Sequence, residues 1–136
     1  MSLTQPAELY EILYVSTIAP DASATVVSEI IAKARLHNRA LDITGLLIFD
    51  GMRFCEQMEG RQADVVAQLA RIKTDMRHSH LQVVHQGPLA GRRFSRFSMG
   101  YTTLEDDDAL AQLETLTGQP AVDSFLKLLS SLDLDA

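Results

Sequence analysis

From Glu8 to Ser16 apolar and polar positions alternate, with Tyr10, Ile12, Tyr14 and Ser16 on one face and Leu13 and Val15 on the other. That period of two predicts a strand buried on at least one side, ended by Ala19-Pro20-Asp21. From Thr25 the period lengthens. Val26, Val27, Ile30, Ile31 and Ala34 recur at helical spacing, with Ser23 or Thr25 as N-cap, and the helix is expected to end near His37-Asn38. Ile43 to Phe49 then reads as a short apolar strand. Asp50-Gly51 favours a tight type I′ turn, so Met52 to Glu59 should return antiparallel, closed by Gly60. A second helix is predicted from about Gln62 to Lys73, with Val65, Val66, Leu69 and Ile72 as its apolar stripe. Two more strands follow, Leu81 to His85 and Phe94 to Tyr101, separated by a loop containing Gly87-Pro88.

The resulting order, β-α-β-β-α-β plus one strand, is the split βαβ or ferredoxin-like arrangement of the α+β class, with both helices on one face of the sheet. After Tyr101 the pattern changes. Glu105 to Asp108 form an acidic helix start continued by Ala109 to Leu116, and Gly118-Gln119-Pro120 breaks it. Val122, Phe125, Leu126, Leu128 and Leu129 make a last amphipathic helix, expected to cover the open sheet face or a partner subunit. The chain thus divides into residues 1–101 and a helical cap, 102–136.

Composition narrows the function. The 136 residues suffice for one domain, and 46% hydrophobic with 22% charged is ordinary for a globular chain. A net charge of −6 lacks the clustered Lys and Arg that a phosphate backbone demands, which excludes nucleic acid as a partner. No apolar run is long enough to cross a bilayer, and Met1-Ser2-Leu3-Thr4-Gln5-Pro6 has no basic and apolar leader pattern, so a cytoplasmic location is expected. One cysteine, Cys55, supplies neither a disulfide nor a metal cluster. Walker and dinucleotide glycine loops, a nucleophile elbow and His/Cys metal spacings are absent, so no enzymatic activity is expected.

Glu56 is the most informative residue. Alternation places it with Met52, Phe54 and Met58, opposite Arg53, Cys55, Gln57 and Glu59. A carboxylate on an apolar face is protonated, paired or turned to a polar ligand, unless the strand lies near an edge and the group reaches water.

Leu13-Tyr14-Val15-Ser16, His37-Asn38 and Thr44-Gly45-Leu46-Leu47 resemble the start of BLUF domains, the blue-light sensors that bind flavin. Gly51 to Gly60, Asp75-Met76-Arg77-His78 and Gly87 to Phe94 continue the resemblance in the family's order and spacing, over about residues 9 to 101. The resemblance implies a flavin between the two helices, FAD in the family's usage with FMN as the alternative. It also implies that Tyr14 passes an electron and then a proton toward the photoexcited flavin. Asn38 would bond the carbonyl and imide edge with His37 beside the ring, and Asp75, Arg77 and His78 would serve the opposite carbonyl and ribityl chain. Phe97 and Met99 stand where the family places an aromatic, often tryptophan, and a methionine exchanged during signalling. Taken singly, each has a plainer reading. Tyr14, Phe97 and Met99 fill a core, His37-Asn38 cap a helix, and Asp75 and Arg77 form a surface ion pair.

The departure from the family pattern falls on Glu56, where the family has glutamine. An amide is donor and acceptor together and can bridge tyrosine and flavin, whereas an ionised carboxylate only accepts. Flavin binding with an altered or absent photocycle is therefore expected, and a light-independent interaction module that keeps the fold is the alternative. Without an output domain, signalling would pass through a downstream protein or a homodimer or higher oligomer.

Overall fold

Strand β1 (Leu9–Ile18) is the axis of the molecule because Ile12, Leu13, Tyr14 and Val15 are all buried, on alternating faces. The computed structural model describes residues 8–132, so the reading of Met1 to Pro6 lies outside the described residues. After β1 come α1 (Ala24–Leu41), β2 (Thr44–Phe49), β3 (Arg53–Arg61), α2 (Gln62–Lys73), β4 (His78–Leu89), β5 (Gly100–Thr103), α3 (Asp107–Leu113) and α4 (Gln119–Ser130). The strands pair in the order β4-β1-β3-β2-β5, antiparallel except for the parallel β2–β5 pair. This is the expected α+β, ferredoxin-like sheet with one added strand.

Each face of the sheet has its own core. On the front, α2 buries Val65 and Leu69 against Ile12, Tyr14 and Met58, while α1 buries Val27 and Ile31 against Leu47, Phe54 and Met99. On the back, Leu110 and Leu113 of α3 and Ala121 and Phe125 of α4 cover Leu13, Val15, Leu46, Ile48 and Cys55. The C-terminal helices therefore close the second sheet face within the same chain. Val66 leaves the predicted α2 stripe and is exposed, since Val65, Leu69 and the partly buried Ile72 already complete that helix's contact.

Four local features differ from the sequence expectation. The hairpin turn is centred on Gly51-Met52, flanked by the Asp50 N–H bond to the Arg53 carbonyl; only Gly51 has a positive φ, which is the type II′ pattern. Asp50 Oδ1 holds this turn by accepting from the Met52 and Arg53 N–H groups. Helix α1 runs past His37-Asn38 to Leu41, and Asp42 in the left-handed region ends it with its N–H on the Arg39 and Asn38 carbonyls. Gly87-Pro88 lies inside β4, an edge strand, where a residue without an N–H is tolerated. Gln119-Pro120 starts α4, Pro being suited to a first helical turn.

The segment from Phe94 to Met99 is not a strand. Its backbone is held by side chains, by one internal turn bond from the Phe97 N–H to the Phe94 carbonyl and by one main-chain bond to the sheet, instead of a ladder. Glu59 accepts the N–H groups of Arg93 and Phe94, Gly45 N–H donates to the Phe97 carbonyl, Asn38 donates to Ser98 and Arg35 to Met99. The segment thereby sends Phe94 and Phe97 to the back core and Met99 to the front.

Behind the sheet, Glu59 is fully buried and also accepts from Thr44 at 2.7 Å and Gln57 at 3.0 Å. Gln57 reaches Glu11 as well, and Arg93 clasps both Glu11 oxygens at 2.9 and 3.1 Å. Burial pushes the Glu11 carboxyl up, but the Arg93 and Gln57 hydrogen bonds outweigh it and hold it below the usual range.

Gly45 is required by the approach of β2 to β3: a Cβ there would sit 2.0 Å from the Gln57 carbonyl oxygen, whereas one at Gly91 would meet nothing within 4 Å. In urea unfolding, Gly45→Ala is expected to cost about 1–3 kcal/mol or more, as overpacking does. Gly91→Ala should stay within about 0.5 kcal/mol of wild type; equal losses would contradict the packing argument.

Candidate functional site: a cavity between the two front helices

The two front cores do not meet. Between them lies a cavity of about 520 Å³, walled by Ile30, Lys33, Ala34 and His37 of α1 and by Gln68, Arg71 and Ile72 of α2. Tyr14, Leu47, Phe54 and Glu56 form its floor, and the Thr74–Arg77 connection, His78 and Met99 complete the lining. Flat apolar surface beneath polar rims is the usual design for holding a planar ligand.

Tyr14 and Glu56 face each other because they are register partners on β1 and β3. The Tyr14 hydroxyl donates to Glu56 Oε1, and both residues are buried. Burial pushes the Glu56 carboxyl up to about 7, only partly offset by the Tyr14 hydrogen bond. Burial, then the negative charge of Glu56, holds the Tyr14 hydroxyl well above its ordinary range. Glu56 is thus enclosed and bonded to Tyr14, and it does not reach water at a strand edge.

The cavity's two arginines are already engaged. Arg77 closes on Asp75 through Nε to Oδ1 at 2.9 Å and NH2 to Oδ2 at 2.6 Å, which holds the Asp75 carboxyl down at about 2. Arg71 gives Nε and NH2 to Gln68 Oε1 at 3.2 and 2.7 Å. His78 Nε2 lies 3.0 Å from the Ile72 carbonyl oxygen, and burial draws the imidazole below its usual value, so the neutral ring donates there and leaves Nδ1 as an acceptor. That Nδ1 is buried and has no partner among the described residues.

Of the residues singled out in the sequence, Tyr14, His37, Glu56, Asp75, Arg77, His78 and Met99 line this one cavity. Asn38 does not. It is buried beside the wall, its Nδ2 donating to Ser98 and its Oδ1 without a partner among the described residues. Phe97 packs in the back core, across the sheet from the cavity. Gln68, Arg71 and Lys33 were not anticipated. Gln68 carries a signal, since it interrupts the Val65–Leu69–Ile72 stripe with a buried amide, and Arg71 lies one turn on. Asn38 Oδ1 beside the wall and His78 Nδ1 on it are buried acceptors without partners among the described residues, and either one could take the single imide N–H of a flavin.

Residues 9–100 match the family model described as sensors of blue light using FAD. A photoactivated adenylate cyclase subunit alpha of Euglena gracilis is 25% identical over 125 residues, 90% of this chain. The chain spans only 11% of that relative's length. The dark-state structure of the BLUF protein BlrB superposes with a TM-score of 0.76 at 26% identity, covering 93% of this chain and 98% of BlrB. Klebsiella pneumoniae BlrP1 with FMN and cyclic diGMP gives a TM-score of 0.71 at 28% identity, over 90% of this chain and 34% of that one. A match running from β1 into β5, on a sheet whose Tyr14 floors a helix-walled cavity, makes this chain a member of the BLUF family of flavin-binding blue-light sensors.

Proposed function

We infer that the cavity holds the isoalloxazine ring of FAD, the flavin of the family's description, with FMN as the alternative that the BlrP1 complex suggests. The observation that carries the reading is the buried Tyr14–Glu56 hydrogen bond on the floor of the cavity. A bound flavin supplies blue-light absorption and an acceptor for an electron. Tyr14 is the electron and proton source, Leu47, Phe54 and Ile72 exclude water, and His37, Asn38, Arg77 and His78 fix the polar edge. Met99 senses the ring from the segment that joins β4 to β5. Signalling is non-enzymatic, through a protein partner or a dimer. The back-face cap supplied by α3 and α4 leaves the flavin cavity open on the other side of the sheet.

Glu56 alters the cycle. Protonated, as its raised pKa favours below neutrality, it accepts from Tyr14 through its carbonyl oxygen and donates from its hydroxyl to the ring. The resemblance implies signalling by a hydrogen-bond rearrangement among Tyr14, residue 56 and the flavin, and protonated Glu56 already offers the pattern that a rearranged glutamine would reach after illumination.

Absorption spectra of the purified protein before and after blue light test this. A flavin spectrum unmoved by light in the wild type, with a reversible shift restored in Glu56→Gln, is the expected result. An ordinary reversible shift in the wild type would refute the altered cycle, and no flavin in either would favour the light-independent interaction module.

The same carboxyl makes stability depend on pH. Its folded pKa lies above the unfolded value, so its contribution is complete below about pH 4.5 and is lost as pH rises through 7. Relative to Glu56→Gln, flavin-free wild type should lose up to about 3 kcal/mol between pH 5 and pH 8.5 in urea titrations, because its carboxyl is pushed up to about 7 in the fold. Parallel pH profiles would show that Glu56 is already ionised in the fold.

A further inference from the structure

The two oxygens of Glu56 have different fates. Oε1 takes the Tyr14 hydroxyl, while Oε2 meets no donor among the described residues and belongs to a residue on the cavity floor. Neither nearby guanidinium is bonded to it, because Arg77 is closed on Asp75 and Arg71 on Gln68. What Oε2 offers a ligand therefore depends on the proton alone: a carboxylic acid donates, a carboxylate only accepts.

A flavin edge changes in the complementary sense with its redox state. In the oxidised ring N5 and the C4 carbonyl are both acceptors, whereas the two-electron-reduced ring carries an N5–H donor. A glutamine amide facing that edge can donate to the oxidised ring. A carboxylate facing it sets acceptor and charge against acceptor, a costly arrangement in a buried site.

We propose that Glu56 makes this cavity a redox-state-selective flavin site: ionised, it accepts from the N5–H of reduced flavin and disfavours the oxidised ring, so the protein takes up dihydroflavin in preference. The proposal rests on the flavin reading of the cavity and goes beyond it, from sensing light to sensing the reduction state of the flavin. Selectivity follows ionisation and is confined to pH values at which Glu56 is a carboxylate. The other titratable and charged groups around the same cavity are Tyr14 on β1, His78 on β4, Lys33 and His37 on α1, Arg71 on α2, and Asp75 and Arg77 on the connection, while β2 opposes Glu56 with Leu47.

The test is anaerobic titration of flavin-free protein with FAD and with dithionite-reduced FAD, at pH 8.5 and pH 6.0. At pH 8.5 the wild type should bind the reduced form at least tenfold more tightly, equivalent to raising the bound two-electron potential by about 30 mV over free FAD. At pH 6.0 the preference should vanish, and Glu56→Gln should favour oxidised FAD at both pH values. Tyr14→Phe keeps the carboxyl but removes the donor that stabilises its ionised form, so its preference should set in at higher pH. Equal wild-type affinities at pH 8.5, or the same pH dependence in Glu56→Gln, would overturn the proposal, the second assigning the effect to another group of the cavity. Failure of wild type and both variants to bind either form of FAD would instead defeat the flavin reading, and the proposal with it.

Discussion

Strand β3 carries buried carboxylates on both of its faces, and most of what is distinctive in the molecule follows from how differently they are served. Glu59, on the back, accepts from Thr44, Gln57 and the N–H groups of Arg93 and Phe94. Glu56, on the front, accepts from Tyr14 alone among the described residues. A buried carboxylate with several donors is a structural anchor, because the hydrogen bonds replace its lost hydration. With one donor and no cation in contact it is a group whose proton is in play, and the cavity is built around that group. The alternation that separates the two is a property of the pleat. A slip of one residue in β3 would exchange them, and the Gly51 hairpin together with the close β2–β3 contact at Gly45 pins the register against it.

Where one structural demand acts on a segment, its pattern is legible in the chain. The two faces of β1 and of β3 each follow from strict alternation, Tyr14 falling with Ile12, and Glu56 with Phe54 and Met58 opposite Cys55, Gln57 and Glu59, while the pairing register puts Tyr14 and Glu56 on the same side. Helix α2 obeys a single apolar stripe, and its expected bounds, Gln62 to Lys73, are those observed. Where two demands compete, the reading fails. Phe94 to Tyr101 reads as one strand, but Phe94, Phe97 and Met99 serve two cores on opposite sides of the sheet, and the backbone between them is tied mainly by side chains. Phe97 consequently packs on the back face, away from the cavity. His37-Asn38 suggests a helix end because asparagine tolerates left-handed geometry, yet Asp42 takes that role and Asn38 turns inward to Ser98.

The candidate site was legible as a set of residue types and obscure as geometry. Tyr14, Glu56, Asp75, Arg77 and His78 come from four parts of the chain, and only their joint spacing, read through the resemblance, places them together. Gln68 and Arg71 had a purely local signature, a polar residue inside an apolar stripe, which ordinarily marks a tolerated irregularity. Their meaning appears when α2 is laid over the sheet and the stripe stops short of α1, leaving the amide and guanidinium on the wall of the gap.

The same arrangement couples the cavity to the far side of the sheet without any long path. Glu56 and Gln57 are consecutive, so the cavity floor and the back-face network share one peptide unit of β3. Glu59, two residues on, holds the start of the 92–99 segment, whose other end hangs from α1 through Asn38 and Arg35. Met99 stands at that second attachment and on the cavity wall. A displacement of β3 and one of α1 therefore act on the same short segment from its two ends. Its few side-chain ties make it weaker than the ladders beside it, and a rearrangement in the cavity has least to break there.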